Sequence, residues 1–383
     1  MTLLGWLTLA MCAGVLASGI DVLVGLATTP RLGDYPPRAD AGAPLVSVVV
    51  AARDEERGVE RGMASLLAQR YPALEIVAVD DRSTDRTGAI LDRFAAADAR
   101  LRVVHVPQLP AGWLGKNHAL WLGAAAARGE WLLFTDADVV MTAEVVSRAV
   151  TYAERQGRDS VTLFPVIPMP GILLQAFVAS GGVIFHAVLR PRKARDPKSR
   201  HFVGVGAFNL VRSAAYARSG GHERIRLRPD DDIKLGKILK RSGAKVDAIS
   251  GSGMVSVEWY HSLREAIDGL MKNAFSVVEY RPLLMLAGVP LFLVTGLGPL
   301  AALLLGSGMV RLIGAVTVLF QLLLHAAAAR EVGAPRRAAI LFPMVSVLYA
   351  WIILRALVLN LSQGGITWRG TFYPLADLKK NRV

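Results

Sequence analysis

Long apolar runs lie towards both ends of the chain, and the stretch between them alternates shorter apolar and polar segments. A run of roughly 18 or more apolar residues can cross a hydrocarbon layer of about 30 Å as a helix. Four runs meet this description: Leu3–Leu26, Leu283–Leu305, Leu312–Ala329 and Ala338–Leu361. Arg355 interrupts the fourth run, so this run also fits a re-entrant or interfacial segment. The pattern predicts a transmembrane anchor over residues 1–30 and a membrane region over residues 283–361.

The first apolar run has two interpretations, a cleaved signal peptide or an uncleaved anchor. It has no Lys or Arg ahead of it, and Arg31 follows it. A signal peptide carries its positive charge before the apolar segment. We therefore favour an uncleaved anchor whose C-terminal flank lies inside the cell.

Short apolar runs and amphipathic segments alternate between residues 31 and 282. Strands are predicted over Leu45–Ala51, Leu74–Val79, Arg102–Val106 and Trp131–Thr135. Helices are predicted over Gly58–Gln69, Asp85–Ala97, Asn117–Arg128 and Ile233–Arg241. Strands and helices that alternate at this spacing indicate an α/β domain on a parallel sheet. We expect the core of this domain to span residues 45–245.

Composition and charge narrow the class of protein. The chain is 53% hydrophobic, above the roughly 45–50% of ordinary soluble domains, which argues against disorder and against a simple globule. Its 44 Lys and Arg against 31 Asp and Glu give a net charge of +13. The excess flanks the apolar runs and no recognition helix is evident, so it indicates a membrane surface and not a nucleic acid. A single cysteine, Cys12, excludes an internal disulfide framework and a cysteine-based zinc site.

Acidic residues follow three of the predicted strands. Asp54 follows the first strand, Asp80 the second, and Asp136 and Asp138 the fourth. The carboxyl ends of parallel strands meet at one edge of a sheet, so these carboxylates are expected to share a cleft. Alternate residues such as 136 and 138 can direct two carboxylates at one hard divalent ion, and Mg²⁺ or Mn²⁺ takes one or two carboxylates plus phosphate oxygens. Such an ion neutralises a diphosphate leaving group.

The segment after the second strand serves two purposes in this interpretation. Ser83 or Thr84 is placed to cap the helix that begins near Asp85. The Asp80 carboxylate is placed to accept a hydrogen bond from a uracil N–H. We expect both, capping by Ser83 or Thr84 and ligand contact by Asp80.

A glycine-containing turn precedes the third predicted helix. Gly112 and Gly115 permit a tight backbone, and Lys116 can reach a phosphate as a point charge beside the first N–H groups of the helix. The spacing differs from a Walker loop, and no G-x-G-x-x-G follows the first strand. A dinucleotide cofactor is therefore not expected.

Three adjacent carboxylates, Asp230–Asp232, precede the fourth predicted helix. Compensation of the helix dipole accounts for one or two of them. Mutual repulsion of adjacent carboxylates raises their pKa values, which suits a general base acting on a hydroxyl. Upstream, the glycine-rich segments around Gly206 and around Gly221 and His222 leave bare backbone that a sugar or acceptor can approach.

The order of these segments resembles glycosyltransferase family 2 in its membrane-anchored bacterial branch. The matching pieces run from Ser47 to Gly243, about half the chain: SVVVAARDEE, VDDRSTDRT, LPAGWLGKNHAL, LLFTDADV, VGAFNLVRSAAYARSGGHE and DDDIKLGKILKRSG. The GWLGKNHAL element, together with flanking apolar helices, is similar to glucosyltransferases of carotenoid or hopanoid lipids. The resemblance implies an α/β fold of the GT-A type, a Rossmann-like nucleotide-diphospho-sugar transferase domain with flanking transmembrane helices.

The resemblance also implies roles for the matching residues. The residues implied to bind the nucleotide sugar are Ala52, Arg53, Asp54, Asp80, Lys116 and Asp136, with Asp80 on the nucleobase. Asp138 and Asp136 would hold the Mg²⁺ or Mn²⁺ ion. Asp232 stands where the family has its catalytic base, and Asp231 replaces the neighbouring Glu. The residues assigned to the acceptor side are Gly206, Gly221, His222 and Trp259, although Trp259 also fits an amphipathic helix lying on the membrane.

The implied reaction is a single displacement with inversion at the anomeric carbon. Asp232 would take the acceptor proton, while the metal and Lys116 stabilise the departing UDP. Processive members of the family carry Gln-x-x-Arg-Trp after the base, and residues 269–273 do not match it, so a processive polysaccharide synthase is not expected. The apolar flanks favour a membrane lipid as acceptor, and a polyprenyl phosphate, a carotenoid or hopanoid alcohol and a diacylglycerol all fit. The alternatives are a polyprenyl-phosphate glycosyltransferase and a catalytically inactive GT-A scaffold protein.

The donor comes from the cytoplasm, which predicts a multi-pass protein of the inner (plasma) membrane with residues 31–282 as its cytoplasmic catalytic domain. Three crossings after residue 282 would leave the last residues outside. The basic side chains near the end of the sequence favour the inside: Arg369, Lys379, Lys380 and Arg382. The two inferences conflict if Ala338–Leu361 crosses fully, and the conflict stays open here. Residues 362–383 are predicted to form an interfacial tail.

Overall fold

The computed structural model describes residues 2–38, 40, 42–251 and 253–383. Its strands are β1 Val46–Ala52, β2 Leu74–Asp81, β3 Leu101–Val106, β4 Trp131–Asp136, β5 Val140–Met141, β6 Ser160–Phe164, β7 Asn209–Arg212, β8 Val246–Ser250, β9 Val255–Ser256, β10 Gly365–Trp368 and β11 Thr371–Pro374. Its α-helices are α1 Leu3–Thr28, α2 Val59–Leu67, α3 Thr87–Ala97, α4 Gly115–Ala126, α5 Val145–Arg155, α6 Ile172–Leu189, α7 Pro191–Ala194, α8 Ser213–Ser219, α9 Gly221–Arg224, α10 Asp231–Arg241, α11 Leu263–Val277, α12 Pro282–Leu305, α13 Gly308–Glu331, α14 Phe342–Ser362 and α15 Leu375–Lys380. Short 3₁₀ turns cover Leu32–Asp34 and Arg336–Leu341.

The chain divides into two compact units, each assembled from three separate segments. The sheet unit consists of Thr29–Val166, Pro191–Glu258 and Lys380–Val383. The apolar unit consists of Met1–Thr28, Ile167–Arg190 and Trp259–Lys379. Residues 167–190, which lie inside the region expected to be the catalytic domain, therefore group with the apolar helices.

The sheet unit is built on a seven-stranded sheet with the strand order β3-β2-β1-β4-β7-β6-β8. The strands β1 to β4 are parallel, as the sequence pattern predicts. The prediction of a fully parallel sheet is wrong in one respect, because β7 runs antiparallel to both β4 and β6. The strands that the pattern missed, β6 to β8, contain only four or five residues each, too few for a clear apolar period.

Strand register decides which strand-end side chains share a face of the sheet. Ala51 pairs with Val79 on one side and with Asp136 on the other. Because side chains alternate along a strand, these three residues lie on the same face. The helix α4 covers this face, since a Cβ at Gly123 would lie 2.4 Å from Val49, a residue of the same set. Every second residue, Asp80 included, belongs to the opposite face.

The predicted cap of α3 is wrong. Neither Ser83 nor Thr84 caps this helix, because the Asp85 carboxylate accepts the N–H of Thr87 at 2.9 Å. Ser83 Oγ instead accepts the N–H of Asp54 at 3.1 Å, and the N–H of Thr84 donates to Asp54 Oδ1 at 2.8 Å. Both residues thus tie the loop after β2 to the loop after β1.

The described part of the apolar unit contains five helical stretches that are long and apolar enough to cross a membrane by length and composition. They are Leu3–Thr28, Ile172–Ala194, Pro282–Leu305, Gly308–Glu331 and Arg336–Ser362. The sequence pattern predicted four, and it missed Ile172–Ala194. This stretch carries Gln, Ser and His within its apolar run and ends in a basic segment, so its sequence resembles that of the surrounding α/β region.

Small residues let these helices approach each other closely, as is typical of helix packing in lipid. A Cβ at Gly19 would lie 2.4 Å from the Phe320 ring, and a Cβ at Gly296 would lie 2.3 Å from Ser346 Oγ. Glycine at these two positions therefore brings α1 to α13 and α12 to α14.

A buried amide repairs a gap in α12. Pro299 has no N–H, so the carbonyl of Thr295, four residues earlier, loses its helical partner. Gln321 Nε2 donates to that carbonyl at 2.9 Å. We expect Gln321→Leu to destabilise the protein by about 1 kcal/mol, since the carbonyl is left unsatisfied. Thermal melting of detergent-purified protein measures this, with Leu323→Ala on the exposed side of α13 as the control; equal melting of the Gln321 variant and the wild type contradicts it.

Candidate active site

A pocket lies at the carboxyl end of β4, between α4, α10 and the segment that precedes β7. The residues that line it are Lys116, Leu120, Phe134, Thr135, Asp136, Gly206, Asn209, His222, Asp231, Asp232 and Leu235. Six residues that the sequence singled out therefore meet in one place: Lys116, Asp136, Gly206, His222, Asp231 and Asp232. The segments that carry them are far apart in sequence and join only through the sheet.

Lys116, in the first turn of α4, is the central cation of this pocket. Its Nζ lies 2.7 Å from Asp136 Oδ1 and 3.6 Å from Asp231 Oδ2. Burial lowers the pKa of this ammonium, but the surrounding carboxylates Asp136, Asp231 and Asp232 outweigh it and raise the pKa above its usual range. The lysine therefore stays charged and offers a fixed positive charge beside three carboxylates.

Asp232 is held by the backbone on two sides. The N–H of Gly206 donates to its Oδ2 at 2.8 Å, and the N–H of Ile233 donates to its Oδ1 at 2.7 Å. Burial, and then the neighbouring Asp231, raise the pKa of Asp232 to about 7. A carboxylate that titrates near neutral pH can accept a proton from a hydroxyl at working pH.

Bare backbone lets the segment before β7 lie against the start of α10. A Cβ at Gly204 would lie 1.9 Å from the carbonyl oxygen of Asp232. A Cβ at Gly206 would lie 3.0 Å from Asp136 Oδ2 and 3.6 Å from Asp232 Oδ2. The close approach predicted around Gly206 is thus present, and the groups that approach its backbone are the carboxylates of Asp136 and Asp232.

Two residues that the sequence analysis did not assign hold the segment before α10. Asn117 Nδ2 donates to the carbonyls of Ile225 and Arg228, at 2.8 and 2.9 Å. The Arg228 side chain is fully buried, and its Nε donates to Asp230 Oδ1 at 3.1 Å. Asp230, the first of the three adjacent carboxylates, is therefore used in a buried ion pair. The sequence around Asp230 does not predict this ion pair. A signal for Asn117 was present, because it directly follows Lys116.

His222 lines the pocket as a neutral ring. Its Nδ1 lies 2.9 Å from the Tyr216 hydroxyl. Burial, and then the charge of Lys116, lower the pKa of His222 to about 3. Gly221 beside it has φ 52°, and a Cβ there would lie 2.4 Å from the Tyr216 ring, so this glycine packs against Tyr216. Trp259, by contrast, belongs to the apolar unit, where its ring stacks on Tyr260 at 5.4 Å.

At the end of β2 the two aspartates point to opposite faces. Asp80 faces away from α4; its Oδ1 accepts the N–H of Ser83 at 3.2 Å, and its Oδ2 lies 3.0 Å from His105 Nδ1. Asp81 lies on the face of Asp136 and forms a two-point contact with Arg82, at 2.8 and 3.0 Å. By position, Asp81 shares the α4 face with the pocket residues, and Asp80 does not.

The other residues assigned to nucleotide-sugar binding, Ala52, Arg53 and Asp54, lie at the carboxyl end of β1. Ala52 is the buried last residue of β1, on the face of Asp80. The Arg53 guanidinium lies 3.9 Å from Asp81 Oδ2. Asp54 adopts φ 52°, in the left-handed region that non-glycine residues rarely enter, and such strain is often found in functional loops.

Asp138 lies two residues beyond Asp136, just past the end of β4, and it is not among the residues that line the pocket. Burial, and then the charges of Asp136 and Glu55, raise its pKa to about 7. Among the described residues, no group of three or more His, Cys, Asp or Glu side chains is placed to hold a metal ion alone. Asp136 and Asp138 together with phosphate oxygens of a ligand fit the way Mg²⁺ and Mn²⁺ are bound.

Known proteins are similar to this chain in sequence and in fold. The profile described as Glycosyl transferase family 2 matches residues 47–217. The 4,4'-diaponeurosporenoate glycosyltransferase of Staphylococcus haemolyticus (strain JCSC1435) is 27% identical over 238 residues, which are 60% of this chain and 60% of that protein. Uncharacterized glycosyltransferase EpsJ of Bacillus subtilis (strain 168) is 35% identical over 118 residues, 31% of this chain and 33% of that protein. The chain thus spans less than two thirds of the length of these relatives.

One solved structure is similar over nearly the whole chain. It is mannosyltransferase PcManGT from Pyrobaculum calidifontis in complex with GDP-Man and Mn²⁺, with a TM-score of 0.57 at 19% sequence identity. The match covers 94% of this chain and 99% of that chain. At this identity the likeness concerns the fold, and it confirms the α/β GT-A fold with accompanying apolar helices.

Proposed function

From the premise that residues 47–217 belong to glycosyltransferase family 2, we propose that the protein transfers one sugar from a nucleotide-diphosphate sugar to a hydroxyl of a membrane lipid, with inversion and without processive elongation. One observation carries the proposal. The pocket sets Lys116 and Asp136, which suit a diphosphate leaving group, beside the half-buried carboxylate of Asp232, whose pKa lies near 7.

The donor side is formed by Lys116, Asp136 and Asp138. Lys116 places its charge next to Asp136 at 2.7 Å, where it can attract a donor phosphate. Asp136 and Asp138 would hold Mg²⁺ or Mn²⁺, which neutralises the charge that develops on the departing diphosphate. UDP is the proposed nucleotide, and the GDP-Man bound by the structurally similar mannosyltransferase makes GDP the competing one.

The acceptor side is formed by Asp232 and the bare backbone at Gly206. As the acceptor oxygen attacks the anomeric carbon, the bond from that carbon to the diphosphate breaks, and the hydroxyl proton passes to Asp232. The two N–H groups on Asp232, from Gly206 and Ile233, fix the direction of its carboxylate. A half-buried base with a pKa near the working pH is well matched to this step.

A lipid acceptor is supported by the five apolar stretches that the same chain carries. A second support is the similarity of this chain to the 4,4'-diaponeurosporenoate glycosyltransferase of Staphylococcus haemolyticus. We propose accordingly that the protein works at the cytoplasmic face of the inner membrane, where nucleotide sugars are available.

The test measures the release of a nucleoside diphosphate, UDP or GDP, by detergent-purified protein. UDP-sugars and GDP-sugars are offered one at a time with a native membrane lipid extract, with and without Mn²⁺, and Asp138→Asn is assayed in parallel. We expect release that needs both lipid and metal and that falls at least a hundredfold in the variant, as for removal of a metal ligand. Full release without added lipid would contradict the lipid acceptor, and no release with any donor would contradict the transferase activity.

A further inference from the structure

The segment from His222 to Asp232 leaves the pocket and returns to it. His222 and the pair Asp231 and Asp232 line the pocket, while residues 224–228 lie between them in sequence and do not line it. The hydrogen bonds that fix residues 224–228 therefore bear on where the segment brings its last two carboxylates.

Helix α4 and the turn before it hold this segment from one side. The N–H of Leu114 donates to the carbonyl of Arg226 at 2.8 Å. Asn117 donates to the carbonyls of Ile225 and Arg228. These bonds satisfy the carbonyls of Ile225, Arg226 and Arg228. Their donors lie on either side of Lys116 in sequence, so the same part of the chain positions the lysine and holds the segment.

Asn381, far away in sequence, holds the same segment through two further bonds. Its Oδ1 accepts the N–H of Leu227 at 2.9 Å, and its Nδ2 donates to the carbonyl of Arg224 at 2.9 Å. The neighbouring residues add a third link, because Lys237 Nζ in α10 donates to the carbonyl of Val383 at 2.6 Å. The Asn381 side chain thus binds the main chain of Arg224 and Leu227, and α10 is hydrogen-bonded to Val383, two residues after Asn381.

We propose that Asn381 is a positioning residue for the carboxylates of Asp231 and Asp232. The amide satisfies one main-chain donor and one main-chain acceptor three residues apart, which no apolar or purely acidic side chain of that size does. The segment then runs through Arg228, whose buried ion pair with Asp230 sets the first residue before α10. The role in catalysis rests on the proposed function; the role in ordering the segment does not.

The kinetic test compares Asn381→Ala with Arg382→Ala, a change at the exposed neighbouring side chain. In the transfer assay we expect kcat of the Asn381 variant to fall about tenfold or more, as small misplacements of catalytic groups do, with KM for the donor within twofold. The ascending limb of its pH profile should move from that of the wild type, and Asn381→Asp, which keeps the acceptor for Leu227, should recover part of kcat. A variant with unchanged kcat and unchanged pH profile overturns the positioning role.

Hydrogen exchange gives a readout that does not need turnover. In Asn381→Ala we expect faster amide exchange in peptides covering residues 224–232, with peptides from β1 and β2 unchanged, and no change anywhere in Arg382→Ala. Equal exchange over 224–232 in the variant and the wild type overturns the proposal. If the wild type transfers no sugar but the exchange difference is present, the proposed function fails while the ordering role of Asn381 stands.

Discussion

Asp232→Asn is expected to abolish sugar transfer and at the same time to remove a pH-dependent part of the protein's stability. Activity is lost because the amide cannot take the acceptor proton, although it keeps the size of the carboxylate. We expect at least a hundredfold drop in kcat, the usual contribution of a general base. Asp196→Asn, a change of an exposed carboxylate in the sheet unit, serves as the control.

The pH dependence of stability follows from the raised pKa of Asp232, about 7 against an ordinary value of 3.8. The folded state binds the proton more tightly than the unfolded state, so stability falls as pH rises from about 4 to about 7 and then stays level. Asn has no proton to lose. The melting temperature of the variant relative to the wild type should therefore rise from about pH 4 to about pH 7 and then stay level, on top of a constant loss from the one N–H group that the amide cannot accept.

Transfer by wild type should rise with pH through about 7, since only the ionised carboxylate is a base. Rates of nucleotide release between pH 5 and pH 9 measure this limb, and melting curves over the same range measure the stability difference. Retained transfer in Asp232→Asn would exclude the base role. It would instead favour a polyprenyl-phosphate acceptor, whose phosphate needs no deprotonation by the protein.

Gly204→Ala is expected to be among the most damaging changes of a single methyl group in the sheet unit. The new Cβ would lie 1.9 Å from the carbonyl oxygen of Asp232, so the segment before β7 must move away from α10. That movement takes the N–H of Gly206 away from the Asp232 carboxylate. We expect a destabilisation of about 1–3 kcal/mol, typical of overpacking, together with loss of transfer.

Gly33→Ala is the matched control for this substitution, because a Cβ there meets no atom within 4 Å and the residue has no positive φ. Melting curves and transfer rates of the two variants and the wild type are compared under one set of conditions. A Gly204 variant that keeps wild-type transfer would show that the contact between the two segments is not needed for the base.

Apolar patterning predicted the first four strands and the helices between them, since each contains a clear buried side. It did not predict the antiparallel strand β7, because a strand of four residues shows no direction in its sequence. It also missed Ile172–Ala194, where polar residues within the run hid its apolar character.

Site residues could be predicted where a single strand end or helix start carries one kind of charged side chain. Lys116, Asp136, Asp231 and Asp232 meet in one pocket, because strand ends and helix starts collect at one edge of the sheet, whereas Asp54, Asp80 and Asp138, expected in the same cleft as Asp136, do not line it. The choice between Asp80 and Asp81 depends on strand register, which adjacent acidic residues do not reveal. Asn381 depends on a contact across 154 positions of sequence with Leu227, and no local pattern encodes such a contact.

The division of the sheet unit into three segments restricts how often the chain can pass through a bilayer. A folded sheet domain stays on one side, because its main-chain polar groups cannot enter hydrocarbon. The chain leaves this unit at Val166 and re-enters it at Pro191. In a membrane-bound protein whose sheet unit lies on one side of the bilayer, α6 would therefore begin and end on that side despite its length. The chain leaves the sheet unit again at Glu258 and returns at Lys380, so the three apolar stretches in that interval would supply an even number of crossings, and at least one of them would begin and end on the same side.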